Sequence, residues 1–93
     1  MASSDSIVLN QLALVNGLLK RLIESRGIKP ELDPNQHLEL SVDDKSKIAS
    51  MLKVQEKLQD RIPKQKQSSD KDLDVLLGNF HYYDKQYAKA LTS

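Results

Sequence analysis

From Ile7 to Ile23 the chain reads IVLNQLALVNGLLKRLI, with apolar residues on most of a helical circumference and one continuous polar or small stripe, Asn10, Ala13, Gly17, Lys20 and Glu24. Val8, Leu12, Val15, Leu19 and Leu22 alternate steps of four and three, the spacing of a heptad seam. A second line, Ile7, Leu14 and Leu18, lies on one side of this seam, and Leu9 with Ile23 lies on the other. A surface helix of a small domain usually shows one apolar stripe, so a helix apolar on most sides needs neighbours on most sides. The pattern predicts a central helix over 5–25, capped from among Ser3, Ser4, Asp5 and Ser6 and closed at Arg26-Gly27. Its covering comes either from the chain's other helices or from a partner held on one flank.

Two prolines four residues apart, Pro30 and Pro34, exclude a helix from the next stretch and predict an extended crossover over 27–41, with Ile28, Leu32, Leu38 and Leu40 as its large apolar residues. Ser41-Val42-Asp43-Asp44 has the form of a capping box and opens a second helix over 42–61. Its seam is Ile48, Met51, Gln55, Leu58 and Ile62, flanked by Leu52 and Val54, while Lys53, Glu56, Lys57 and Asp60 fall outside. Gln55 interrupts an apolar seam, and a buried amide there either fixes register and partner choice or lies at the stripe's edge in water. Pro63 stops this helix, and PKQKQSS predicts a flexible link over 63–69. Ser68, Ser69 and Asp70 offer caps for a third helix over 70–91, with a seam of Leu73, Leu76, Phe80, Tyr83, Tyr87 and Ala90.

These elements predict an all-α fold in one domain spanning 1–93. It is a three-helix bundle or an extended helical hairpin with heptad-like seams, and a long extended crossover joins helices one and two. With 93 residues, the chain is near the small end of what folds alone. All four aromatics lie between Phe80 and Tyr87. They serve either as core anchors or as an interface cluster, since tyrosine is enriched where partners dock.

Composition narrows the function classes. The chain is 39% hydrophobic and 29% charged, which is a globular balance, and the absence of cysteine excludes disulfides and thiolate metal sites. A net charge of +1 argues against bulk electrostatic capture of nucleic acid or acidic membranes. That total hides polarity: residues 27–44 set one lysine against five carboxylates, a net of −4, and residues 45–71 set eight cations against three acids, a net of +5. Asn10, Gln11 and Asn16 interrupt the best candidate for a spanning segment, so no membrane span is expected. The polar start MASSDS lacks a basic signal region and predicts cytoplasm or nucleus.

Catalysis finds no constellation of residues. His37 and His81 are separated, and neither a nucleophile elbow, a phosphate-cradling glycine loop nor a metal-ligand pair is present, so no enzyme, cofactor or metal is expected. Lys53, Lys57 and Arg61 step by four and could track a phosphate backbone, although Glu56 and Asp60 sit among them. Residues 77–91, LGNFHYYDKQYAKAL, resemble the middle of a tetratricopeptide repeat, with a Leu-Gly pair followed by Tyr87 and Ala90 at that motif's offsets. His81 stands where the motif commonly has tyrosine, Asp74 and Lys85 depart from it, and no second copy at a period of about 34 residues follows. The resemblance implies a peptide-binding repeat fragment whose helix breaks near Asp84.

The function expected is a non-catalytic protein–protein interaction module: a small helical subunit or adaptor, coiled-coil-like, that binds another helical protein or a second copy of itself. The interface residues predicted are Leu14, Leu18, Tyr82, Tyr83 and Tyr87, with Gln55 as a specificity element. A nucleic-acid-associated role through residues 45–71 is the alternative.

Overall fold

Three helices, α1 (Ser4–Ser25), α2 (Val42–Asp60) and α3 (Lys71–Thr92), follow one another with a single 3-10 turn at Lys64–Lys66 and no strand among the described residues. The computed structural model describes residues 4–92 other than His37, Glu39, Ser68 and Ser69, and leaves aside the side chains of Ser4, Tyr87 and residues 90–92. The fold is an all-α bundle organised on α1, which packs against both α2 and α3. Among the described residues α2 and α3 do not pack backbone to backbone, and the particle is elongated, 56 × 24 × 21 Å.

Local chemistry sets the helix ends. Gly27 adopts φ 87°, a left-handed conformation that suits glycine, and its N–H donates to the Glu24 carbonyl at 3.0 Å. A Cβ there would also meet Leu38 Cδ2 at 3.1 Å, so a larger residue would have to displace that side chain slightly as well as adopt the left-handed backbone. Ser41 Oγ accepts from the Asp44 N–H at 3.1 Å and caps α2 as its sequence indicated. At the other end Arg61 caps the helix, leaving Ile62 free to turn inward, where it is buried. Asp70 Oδ1 accepts from the Leu73 N–H and caps α3, while the caps proposed from Ser68 and Ser69 lie outside the described residues.

The core draws on every segment. Leu19 and Ile23 of α1 meet Ile48 of α2, Leu73, Leu76, Phe80 and Tyr83 of α3, and Ile28 and Leu40 of the crossover. Fully burying such a side chain contributes about 1.5–3 kcal/mol, so this cluster is the main driving force of the fold.

The crossover is an ordered layer bound to α3. Asn79 Nδ2 donates to the carbonyls of Lys29 at 2.6 Å and Pro30 at 3.1 Å. One turn later the Tyr83 hydroxyl accepts from the Asp33 N–H and donates to the Asp33 carbonyl, each at 3.2 Å. An irregular backbone in contact with a core needs such partners, because a buried, unpaired carbonyl costs about 1–3 kcal/mol.

In the 63–69 link, Gln67 Nε2 donates to the carbonyls of Gln59 and Ile62, and Lys66 pairs with Asp5 at 3.0 Å. The hairpin implied by the repeat resemblance does not form, since α3 runs unbroken through Asp84 and Lys85, with Asp84 paired to Lys45 of α2.

Arg26 pairs with Asp44 at 2.8 Å and joins the end of α1 to the start of α2. Burial pushes the Asp44 carboxyl up, but hydrogen bonds from Arg26 and Ser41 and the charges of Arg26 and Lys47 outweigh this and hold it below its ordinary 3.8. A depressed folded-state value stabilises the fold above 3.8, and the contribution disappears as pH falls through the folded value. The stability difference between wild type and Asp44→Asn in urea titrations is therefore expected at neutral pH and should shrink under acid; a pH-independent difference would remove this account. Asn79→Ala should lower unfolding stability by about 1–3 kcal/mol, because two crossover carbonyls lose their donor. An unchanged urea midpoint would show that the crossover is held by packing alone.

Candidate functional site

No more than part of α1 is covered. Leu12, Leu19 and Ile23 are buried, but Ile7, Leu14 and Leu18 are 54%, 65% and 52% exposed. The two sets alternate around one helix: Leu18 and Leu19 are chain neighbours, yet Leu19 is fully enclosed. The stripe that the sequence sets to one side of the heptad seam is thus the stripe left in water.

α2 lies antiparallel beside it. Arg26 and Asp44 join one end of the pair, and Gln55 Nε2 donates to Asn16 Oδ1 at 2.7 Å near its middle. On the side of the seam away from that amide bond, Val15, Leu18, Ser50, Met51 and Val54 line an apolar cleft of about 210 Å³. Val54 is 46% exposed and extends the apolar surface onto α2. A larger open groove of about 650 Å³ runs between α1 and the start of α3, past Leu9, Ala13, Gly17 and Lys20. A Cβ at Gly17 would meet nothing within 4 Å, so no closely approaching backbone requires glycine there.

The interface residues predicted from sequence do not all meet on one surface. Leu14 and Leu18 share the exposed face beside the cleft. Gln55 is half-buried on the opposite side of the seam, with its amide engaged by Asn16 of the same chain. Tyr83 is a core residue, 2% exposed, and its hydroxyl is committed to Asp33. Tyr82 is half-buried against the core, accepts a hydrogen bond from Gln86, and stacks edge-on to Tyr83. The Tyr87 side chain lies outside the described residues.

Met51 of the seam and Val54 of its flank line the cleft together with Ser50, to which the sequence pattern gives no role. The signal available for them was register: Lys47, Ser50, Val54, Lys57 and Arg61 step three, four, three, four along α2, which makes them one exposed row.

Other chemistries find less here. Among the described residues no group of three or more His, Cys, Asp or Glu converges as a metal site, and His81 is exposed with its ring 5.5 Å from that of Phe80. Residues 5–25 are long and apolar enough, by length and composition, to cross a membrane, although Leu12, Leu19 and Ile23 of that helix belong to the core.

The buried and exposed leucines should respond oppositely to substitution. Leu19→Ala is expected to cost about 2–5 kcal/mol in urea denaturation, whereas Leu14→Ser and Leu18→Ser should each stay within about 0.5 kcal/mol of wild type. A large loss at Leu18 would mean that its face is already covered within the chain. No protein-family model, curated protein or solved structure matches the chain.

Proposed function

We propose that the protein is a non-catalytic helical interaction module, a small subunit or adaptor that docks another chain on the exposed α1/α2 face. The observation that carries this reading is the alignment of Ile7, Leu14 and Leu18 in one exposed row beside the Val15–Val54 cleft. Isolated exposed leucines are ordinary, but adjacent Leu14 and Leu18 with Ile7 on the same face, next to a concavity, form the kind of surface a partner helix fills.

Magnitudes set what the partner must bring. Completing the burial of a half-exposed leucine or isoleucine contributes about 1 kcal/mol. Association costs about 4–15 kcal/mol in lost freedom, so these side chains alone cannot hold a partner. The occupant must insert large apolar anchors of its own into the cleft, with rim contacts adding selectivity.

The test compares the full-length tagged chain with Leu14→Glu/Leu18→Glu, by light scattering and by mass spectrometry of co-purifying chains. The expected result is a defined assembly, with itself or with another chain, that the double variant loses while its helical circular dichroism stays unchanged. A wild-type chain that remains a monomer at high concentration and retains nothing the double variant fails to retain would overturn the proposal.

A further inference from the structure

Two rows border the α1/α2 cleft. Along α1 run Ile7, Gln11, Leu14, Leu18, Arg21 and Ser25, and along α2 run Lys47, Ser50, Val54, Lys57 and Arg61, every one of them exposed. The α2 row is cationic at both ends with Ser50 and Val54 between, whereas the α1 row runs from Ile7 through Gln11, Leu14 and Leu18 to a single cation, Arg21. Because the helices are antiparallel, Arg21 and Lys47 mark one end of the cleft, while Lys57 and Arg61 mark the other. The α1 row contains no carboxylate, and the α2 row carries one, Asp43, a turn before Lys47. Asp44 is engaged by Arg26, and Glu24, Glu56 and Asp60 fall off these rows by helical register. Among the described residues Arg21, Lys57 and Arg61 form no ion pair.

We infer that the occupant of this cleft is an acidic amphipathic helix, with leucine-class anchors at its centre and carboxylates flanking them. The inference rests on the docking role proposed above and adds the chemistry of the partner. Charge complementarity carries it: an apolar strip with Arg21 at one end and Lys57 and Arg61 at the other, none of them in an ion pair among the described residues, selects a ligand with carboxylates at its edges, and like charge there is penalised. A second copy is the poorer occupant. In a two-fold pairing of this face, either end of one cleft meets cations of the other, so cation faces cation in both registers. The chain's own acidic segment is already held against α3 by Asn79 and Tyr83. A nucleic-acid backbone would match the cations but leave Leu14, Leu18 and Val54 without a counterpart, and a flat lipid surface does not fill a concavity.

The test uses the full chain and two fluorescent peptides of one amphipathic helical design, each with leucines at heptad a and d positions. One carries glutamates at e and g, and the other carries lysines there. Anisotropy titrations at low salt should show the glutamate peptide binding about tenfold tighter, and the preference should narrow at high salt as rim charges are screened. Leu18→Glu should weaken binding of both peptides. Lys57→Glu/Arg61→Glu, at exposed positions where helix content is checked by circular dichroism, should remove most of the preference for the glutamate peptide, because only Arg21 and Lys47 then remain at the rim. Equal binding of the two peptides would overturn the acidic-helix assignment while leaving the docking role intact. Binding of neither peptide overturns it as well, and the companion observation then identifies the occupant. Self-association abolished by Leu18→Glu indicates a second copy, sedimentation with phosphatidylserine vesicles indicates a membrane surface, and salt-sensitive retention of duplex DNA indicates nucleic acid.

Discussion

Both flanking helices pack on α1, and neither packs closely on the other. One helix therefore supplies the common surface for the whole core, and two neighbours of ordinary width cannot enclose its full circumference. The covered arc holds Leu12, Leu19 and Ile23, and the uncovered arc holds Ile7, Leu14 and Leu18. The apolar face and its cleft follow from this division: a fourth element, or a better-centred third one, would be needed to close them.

Stability and specificity come from different interactions in this fold. The leucine and isoleucine cluster drives collapse, but non-directional burial does not dictate where an extended segment lies. That choice falls to Asn79 and Tyr83, whose hydrogen bonds address particular carbonyl and amide groups at Lys29, Pro30 and Asp33. Surface ion pairs add little energy individually, although Arg26–Asp44 and Lys45–Asp84 join segments at the same end of the particle.

Much of this was legible in the sequence, for identifiable reasons. Helix existence and approximate limits follow from three-four spacing, from the Ser41 cap, from Gly27 and from the prolines, all of which act locally. The separate line of Ile7, Leu14 and Leu18 was also visible, because helical register alone sets it apart from the seam. Tertiary pairing was not legible. Nothing local distinguishes Tyr83, enclosed against the crossover, from Tyr82 beside it, and Gln55 gave no sign that Asn16 would receive its amide. The fold distributes the basic 45–71 region: Lys45 and Lys66 enter ion pairs, and Lys47, Lys57 and Arg61 lie on the exposed row of α2 that includes Val54.

The clamp between Tyr83 and Asp33 also bears on how the molecule is observed. With no tryptophan in the chain, its near-ultraviolet optical activity arises from three tyrosines and one phenylalanine. Phe80 and Tyr83 are held in the asymmetric environment where the crossover meets α3, whereas far-ultraviolet ellipticity reports the three helices together. The two wavelength ranges thus follow separate structural events in one sample, and release of the crossover becomes visible by itself, without a label.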